Sequence, residues 1–289
     1  MRLPAVSRWP ALVAVLWSGC ERPAAPTGDP PPTPVAVAPR VAAEAPVAAT
    51  PPPAPEPPPL PQAGRLQYYE RILGAAGPSD PLPMIVAIHG LGDDPENFSH
   101  LFDTFPEPAR LIAPRAPLPA EEGGWSWFPL RARDPDVEGL SRGIQQSADL
   151  LAESVAVLTR ERPTIGRPIV TGFSQGGMLT LTLAVHHPER FSTAVAVGGW
   201  LPPPLWPKAP DAAQAGPHIA ALHGTADAAV RFEPTQRSVQ HLQSLGYAID
   251  FAVYEGVPHV ITPEMHRDLF AALIDGIARL RDTPPPGTP

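Results

Sequence analysis

Proline is distributed unevenly along the chain and limits which part of it can form packed secondary structure. The sequence has 45 prolines among 289 residues, and 16 of them fall within residues 21–63. Proline has no backbone N–H, so helix interiors and central strands exclude it. Residues 64–281 hold 23 prolines in 218 positions, a common length for one α/β domain. We therefore predict a single folded domain over 64–281 and a disordered tail over 282–289.

The first 20 residues have the pattern of an export signal. The first eight residues carry two positive charges, Arg2 and Arg8. Residues 9–17 are apolar, and Cys20 follows two small residues. Nine apolar residues are too few to span a bilayer, which needs about twenty, but they suit a secretory signal. The end of the segment resembles the bacterial lipobox, in which the cysteine is lipidated. We expect residues 1–19 to be a lipoprotein signal and the protein to be exported, periplasmic or on the cell surface, and anchored to the membrane through Cys20. A secreted soluble protein is the alternative.

Residues 20–63 have the composition of a disordered tether. After Cys20 the segment is rich in proline, alanine, valine and threonine, and it contains no aromatic residue. Such a chain cannot bury enough apolar surface to offset the entropy lost on ordering, and its prolines favour an extended polyproline II conformation. A proline-motif ligand for a partner domain is the alternative, although this composition is more typical of a linker.

The net charge and the rare residue types exclude several classes of protein. The formal net charge is −8 without any basic run, so we expect no nucleic-acid partner. The one lysine, Lys208, is not part of a Gly-Lys-Ser/Thr phosphate loop or a Ser-X-X-Lys site. The one cysteine, Cys20, excludes an intrachain disulfide and a cysteine metal cluster, and the nine histidines form no HExxH motif. We expect neither a metal ion nor an organic cofactor.

Short apolar runs typical of strands alternate with longer segments of helical period from residue 64 onward. The strands are predicted near 65–72, 84–89, 110–113, 168–172, 193–198, 217–222 and 248–254. The helices are predicted near 96–104, 139–160, 175–187, 234–245 and 263–281. This alternation is typical of an α/β fold with a mostly parallel, doubly wound sheet and helices on both faces. Such sheets bind ligands at the carboxyl ends of their strands, so the site is expected in the residues that follow each strand.

A serine between glycines stands where one predicted strand meets a helix. The strand 168–172 leads into the motif GFSQGG, which contains Ser174, and the helix 175–187 follows. The glycines permit a tight turn that lifts the Ser174 hydroxyl clear of the sheet, and the helix N-terminus favours developing negative charge. Ser174 is therefore the candidate nucleophile.

An aspartate and a histidine follow two later strands. Asp227 ends the run HGTAD after strand 217–222, and His259 ends the run EGVPH after strand 248–254. A serine hydroxyl is a poor nucleophile at neutral pH and needs a base, which in turn needs an orienting acid. The chain order Ser, Asp, His is the one expected of α/β-hydrolases. A loop-capping aspartate and a surface histidine are the alternatives, and the position of both residues behind the serine turn favours the catalytic interpretation.

A glycine-rich turn follows the predicted strand 84–89. A turn with the motif HGLGD leaves backbone N–H groups outside the hydrogen bonds of the sheet. An acyl-transfer site needs two such groups directed at the oxyanion. The backbone N–H groups of Leu91 and Gln175 are the expected donors. A dinucleotide-binding fingerprint is excluded, because Pro95 stands where its third glycine would be.

Six motifs span nearly the whole predicted domain: HGLGD, PRAPLP…WSWF, GFSQGG, GGWLP, HGTAD…V and YEGVPH. Together and in this order they resemble the phospholipase/carboxylesterase family of α/β-hydrolases, which includes acyl-protein thioesterases and lysophospholipases. The resemblance implies an α/β-hydrolase fold. It also implies that Ser174 is the nucleophile, His259 the general base and acid, Asp227 its orienting carboxylate, and Leu91 and Gln175 the oxyanion hole.

The resemblance extends to a pocket for the acyl chain. Trp127, Trp200 and Leu201 match the WF and WLP motifs of the family, which implies that they bind substrate. Two features depart from the pattern: Pro129 follows Trp-Phe where thioesterases usually have aspartate, and residues 202–204 are three prolines in a pocket loop. These departures favour a bacterial carboxylesterase over a thioesterase.

These patterns together predict a serine hydrolase that cleaves a small-molecule or lipid carboxylic ester through an acyl-enzyme. A lysophospholipase or an acyl thioesterase is the alternative within the enzyme class. A surface-displayed binding module that keeps the hydrolase fold is the alternative outside the enzyme class.

Overall fold

A computed structural model of the protein describes residues 59–209 and 216–282. The predicted export signal, Cys20 and nearly all of the predicted tether lie outside these residues, as does the tail after residue 282. None of the helices in the described ranges combines the length and the apolar character that crossing a bilayer requires.

An eight-stranded sheet forms the centre of the described domain. In chain order the strands are β1 (Gln62–Ala63), β2 (Leu66–Leu73), β3 (Met84–Ile88), β4 (Ala109–Pro114), β5 (Leu118–Pro119), β6 (Trp125–Ser126), β7 (Ile169–Phe173), β8 (Thr193–Val197), β9 (His218–Gly224) and β10 (Ile249–Tyr254). The sheet order is β1-β2-β4-β3-β7-β8-β9-β10, and β5 pairs with β6 in a separate antiparallel ribbon. The strands from β4 through β10 in this order are parallel, whereas β1 and β2 are antiparallel additions at one edge.

The described residues form five α-helices, of which the first four lie between strands and the fifth follows the last strand. They are α1 (Pro95–Ser99), α2 (Val137–Glu161), α3 (Gln175–His186), α4 (Phe232–Ser244) and α5 (Pro263–Asp282). Short 3₁₀ turns occupy His100–Phe102, Pro188–Arg190 and Pro203–Leu205.

The residues of β3 show how the sheet divides the core into two layers. Met84, Val86 and Ile88 pack in the cluster that contains the apolar faces of α2, α3 and α4. Ile85 and Ala87 point to the opposite side and pack with α1 and α5. A strand that is buried on both faces has a continuous run of apolar residues, which is why β3 was recognisable from the sequence. The helices on both faces confirm the predicted doubly wound α/β fold.

Helix α2 shows the local signals that set the helix boundaries. The carboxylate of Asp136 caps its N-terminus by accepting a 2.8 Å hydrogen bond from the Gly139 N–H. Its predicted apolar face is buried in full, namely Leu140, Ile144, Leu151, Val155 and Leu158. The helix therefore buries one face in the core and carries the chain from β6 to β7.

Three local features differ from the sequence expectations. Strand β1 occupies the last two residues of the segment predicted as tether, and Ala63 is buried, so the packed domain begins before Gly64. The predicted helix 96–104 is instead the short helix α1 followed by a 3₁₀ turn. The ribbon of β5 and β6 was not predicted, because two-residue strands carry too little alternation to be recognised.

Candidate active site

Ser174 lies in the turn between β7 and α3, at the carboxyl end of a central strand. Its backbone has φ 58° and ψ −117°, and it is the one non-glycine residue with positive φ among those that the structure describes. Such a conformation costs on the order of 1–3 kcal/mol and persists only where the surrounding structure enforces it. The strand, the turn and the helix occur where the GFSQGG motif predicted them.

Two glycines allow α3 to begin directly against the neighbouring strand. A Cβ at Gly176 would lie 1.9 Å from the carbonyl oxygen of Ile88, and a Cβ at Gly172 would lie 2.5 Å from the carbonyl carbon of Gly176. No side chain fits at either distance. The glycines therefore bring the N-terminus of α3 close to the end of β3.

Ser174, His259 and Asp227 form one hydrogen-bonded chain, although they are far apart in sequence. The Ser174 Oγ lies 2.9 Å from His259 Nε2, and His259 Nδ1 lies 2.6 Å from Asp227 Oδ2. Because an ionised carboxylate can only accept hydrogen bonds, Nδ1 carries the proton and Nε2 is left to accept the serine proton. This arrangement has the geometry of a nucleophile, a base and an orienting acid.

Asp227 is held in place by backbone groups of its own loop. Its Oδ1 accepts hydrogen bonds from the N–H groups of Ala229 at 2.9 Å and Val230 at 2.8 Å, and the residue is only 6% exposed. Burial alone would raise the pKa of Asp227, but the hydrogen bonds from His259 and Val230 outweigh it and hold the pKa below its usual range. The carboxylate is therefore ionised at neutral pH.

The imidazole of His259 is also positioned by an aromatic ring. The ring of Phe173 stacks against it, with centroids 4.6 Å apart and planes 25° from parallel. Phe173 is the residue before Ser174, so the same turn that presents the serine also supports the histidine. Sequence analysis did not assign Phe173 to the site, although its place inside GFSQGG was an available signal.

Gln175 is fixed through its side chain as well as through the helix. Its Oε1 accepts a 2.9 Å hydrogen bond from the Trp127 N–H, and its Nε2 donates a 3.0 Å hydrogen bond to the Phe128 carbonyl. As the first residue of α3, it has a backbone N–H with no partner inside the helix. That N–H is free to serve the predicted oxyanion role.

The turn that carries Leu91 is held by His89 and by β6. The His89 Nδ1 donates to the Gly90 carbonyl at 2.7 Å, while its Nε2 accepts from the Ala116 N–H at 3.2 Å. Burial lowers the pKa of His89 below its ordinary value, which keeps the ring neutral and able to accept. Gly92 and Trp125 are joined by a further backbone hydrogen bond of 3.0 Å. The glycine-rich turn is thus braced on both sides of Leu91.

Two adjoining cavities lie near Ser174, and of the two only the smaller has Ser174 in its wall. The smaller has a volume of about 90 Å³, and its wall includes Leu91, Arg131, Arg133, Ser174, Gln175, Met178, Ala229 and Val230. The larger has a volume of about 680 Å³ and shares Leu91, Arg131 and Arg133 with the smaller. It extends along residues 118–122 and Pro129, the position where the family pattern differs. The larger volume is typical of a site for a small organic ligand.

The three residues predicted to bind the acyl chain lie in the core. Trp127, Trp200 and Leu201 are 1%, 9% and 0% exposed, and they belong to the core rather than to the wall of either cavity. The Trp127 indole N–H donates a 3.0 Å hydrogen bond to the His89 carbonyl, which holds the ring beneath the glycine-rich turn. Arg131 and Arg133 line the cavities instead, and sequence analysis missed them because they lie in a loop without periodicity or a motif.

The described residues contain no group of three or more histidine, cysteine, aspartate or glutamate side chains that could hold a metal ion.

Known proteins are similar to this chain in both sequence and fold. The family model of the phospholipase/carboxylesterases matches residues 75–273. A probable carboxylesterase of Oryza sativa subsp. japonica is 29% identical over 222 residues, which cover 66% of this chain and 80% of the relative. Acyl-protein thioesterase 1 of Mycosarcoma maydis is 28% identical over 222 residues, covering 67% and 90%. The crystal structure of Zea mays acyl-protein thioesterase 2 matches with a TM-score of 0.54 at 26% identity, covering 72% of this chain and 99% of that one. The chain belongs to the phospholipase/carboxylesterase family of α/β-hydrolases, and it is a hydrolase of the carboxylesterase type.

Proposed function

We propose that this protein hydrolyses carboxylic esters through an acyl-enzyme formed on Ser174. The observation that carries the proposal is the continuous hydrogen-bonded chain from Ser174 Oγ through His259 to Asp227, with heavy-atom distances of 2.9 and 2.6 Å. Both distances are within the range in which a base can take the nucleophile's proton and be oriented by an acid.

In the acylation step, His259 Nε2 takes the proton of Ser174 as Oγ attacks the ester carbonyl carbon. The carbonyl oxygen becomes an oxyanion that accepts hydrogen bonds from the N–H groups of Leu91 and Gln175. The protonated His259 then gives its proton to the leaving alkoxide, the C–O bond to the alcohol breaks, and the acyl group stays on Ser174.

In the deacylation step, water replaces the alcohol. His259 removes a proton from the water, whose oxygen attacks the acyl carbon, and the same oxyanion contacts stabilise the second intermediate. Collapse of that intermediate releases the acid and returns the proton to Ser174. Asp227, ionised and hydrogen-bonded to Nδ1, stabilises the imidazolium in both steps.

The test combines active-site labelling with hydrolysis of a short p-nitrophenyl ester. We expect a fluorophosphonate probe to label the wild type and not Ser174→Ala. Substitution of the nucleophile should reduce kcat by on the order of 10⁶. Circular dichroism should show that both proteins are folded. A wild type that is folded and unlabelled would favour the binding-module alternative, and hydrolysis that survives Ser174→Ala would refute the assignment of the nucleophile.

An acyl thioesterase is the second candidate activity. It is supported by the likeness to acyl-protein thioesterase 1 of Mycosarcoma maydis. Lysophospholipid hydrolysis is the third activity compatible with the family. A panel of oxygen esters, thioesters and lysophospholipids with acyl chains of graded length distinguishes them by their kcat/KM values.

We also propose that the enzyme is exported and held at the membrane by a lipid on Cys20. The support is the basic, apolar and small-residue pattern of the first 20 residues. Metabolic labelling with palmitate should mark the wild type and Ser174→Ala equally, and Cys20→Ala should lose the label. Label that persists in Cys20→Ala would refute lipidation at this residue.

A further inference from the structure

Two arginines lie beside Ser174 at the opening of the site. Arg131 and Arg133 line the cavity of about 90 Å³ that also contains Ser174, and both line the adjoining cavity of about 680 Å³. Among the described residues that form the wall of the smaller cavity, none is acidic. A substrate group placed there therefore meets two positive charges next to the candidate nucleophile.

Arg133 is held at this wall by a contact with the loop of Asp227. Its Nη1 donates a 3.3 Å hydrogen bond to the Ala228 carbonyl, and Ala229 and Val230 continue the cavity wall. No carboxylate of the described residues lies within 4.0 Å of the guanidinium. A guanidinium has five N–H donors, so this single contact leaves donors available for a ligand.

Arg131 is partly neutralised, and the acidic groups of the region lie farther out. Its Nη2 is 3.9 Å from Glu122 Oε1, with both side chains exposed. Glu121, Glu122 and Asp134 line the larger cavity only. Asp134 also accepts a 2.9 Å hydrogen bond from the Asp136 N–H within its own loop. The positive charge is thus concentrated at the smaller cavity and at Arg133.

We propose that the ester substrate carries an anionic group, a carboxylate or a phosphate, close to its scissile carbonyl, and that Arg133 binds this group with Arg131 in support. This inference rests on the proposed ester hydrolysis. Arg133 and Ser174 line the same cavity of about 90 Å³, so an anionic group bound by Arg133 lies close to the scissile carbonyl. The planar fork of a guanidinium matches the paired oxygens of both groups.

The test compares kcat/KM for anionic and neutral esters of similar length with the full chain. The acyl-side pair is monoethyl glutarate and ethyl pentanoate, assayed by release of ethanol. The alcohol-side pair is 2-(butanoyloxy)ethyl phosphate and butyl butanoate, assayed by release of butanoate. At low ionic strength we expect a preference of about 10-fold for the anionic ester of one pair, and added salt should reduce it. The pair that shows the preference distinguishes a carboxylate on the acyl side from a phosphate on the alcohol side.

Variants of the three charged residues should change this preference in different directions. Arg133→Gln should abolish most of it, and Arg131→Gln should reduce it less, because Glu122 already offsets that charge. Glu122→Gln should increase it. The matched control is Arg160→Gln in the last turn of α2, which lies about 35 Å along the helix from Val137 at 1.5 Å per residue. The control should keep the preference of the wild type.

The outcomes separate this inference from the proposed function. If the neutral esters are hydrolysed without any preference for an anionic ester, or with a preference that Arg133→Gln retains, the anionic-substrate proposal is wrong and ester hydrolysis stands. Fluorophosphonate labelling without hydrolysis of any of the four esters also refutes the anionic-substrate proposal alone. If Ser174 is not labelled and none of the four esters is cleaved, both proposals are wrong.

Discussion

The side-chain oxygen of Gln175 accepts a 2.9 Å hydrogen bond from the backbone N–H of Trp127. Through this bond the residue after the candidate nucleophile is attached to the segment that follows β6. The same segment is bonded to the glycine-rich turn, because the Trp127 indole N–H donates to the His89 carbonyl. The two N–H groups proposed for the oxyanion hole therefore belong to backbone segments that are joined by side chains in the interior.

Replacement of this amide should destabilise the protein and impair catalysis together. Gln175→Leu leaves the Trp127 N–H and the Phe128 carbonyl buried without their partners, which should lower the free energy of unfolding by about 2–4 kcal/mol. Urea unfolding and kcat on a short p-nitrophenyl ester measure the two effects. Gln145→Leu, which removes an exposed hydrogen bond on α2, is the control and should change both little. Equal effects of the two substitutions would contradict a role for the Gln175 side chain.

The close approach of α3 to β3 should not tolerate a methyl group. The Cβ of Gly176→Ala would lie 1.9 Å from the Ile88 carbonyl oxygen, so the helix must shift and the turn of Ser174 with it. We expect a loss of stability of about 1–3 kcal/mol or more and a large loss of fluorophosphonate labelling. Gly77→Ala is the matched control, because the nearest atoms to its Cβ would be those of the Asp80 carboxyl group, at 3.4 Å and 3.7 Å. Thermal unfolding of the two variants tests the difference.

The backbone strain at Ser174 should be visible as a stability difference between two inactive variants. At φ 58° and ψ −117°, glycine is far better accommodated than alanine. We expect Ser174→Gly to be more stable than Ser174→Ala by about 1 kcal/mol, while neither hydrolyses esters. Chemical denaturation measures the difference. An alanine variant as stable as the glycine variant would show that the turn is not strained.

The ionised form of Asp227 should stabilise the fold, and the effect should disappear in acid. The pKa of Asp227 lies below its usual range in the folded protein, since the hydrogen bonds from His259 and Val230 outweigh burial. A lowered folded-state pKa gives a contribution that is present above the unfolded pKa of about 3.9 and is lost as the pH falls through the folded pKa. We therefore expect the stability advantage of the wild type over Asp227→Asn to shrink below about pH 4. Urea titrations from pH 6 to pH 3 measure it, and a constant difference would contradict the prediction.

The strands and the three candidate catalytic residues could be predicted because their signals are local. The buried strand before Ser174 and the glycines around it lie within one short segment, as do the strands that precede Asp227 and His259. In a parallel sheet, the carboxyl ends of the strands lie at one edge, so residues that follow different strands meet there. Local pattern and this one topological rule were enough to bring Ser174, His259 and Asp227 together.

The pocket could not be predicted in the same way, because its wall is made by contacts between distant segments. Trp127 and Leu201 carried family motifs, yet their side chains pack in the core. Arg133 carried no signal, yet it reaches the Ala228 carbonyl 95 positions later in the chain and lines the cavity beside Ser174.

The sequence by itself determined the longer strands of the sheet and the side chains that follow their carboxyl ends. Periodicity, glycine spacing and proline position act over a few residues, so they can be recognised in the sequence without knowledge of tertiary contacts. Only the tertiary structure decided which residues face the cavities and which face the core. The direction of a loop side chain depends on the partners that folding brings to it, as the contacts of Gln175 with Trp127 and of Arg133 with Ala228 show.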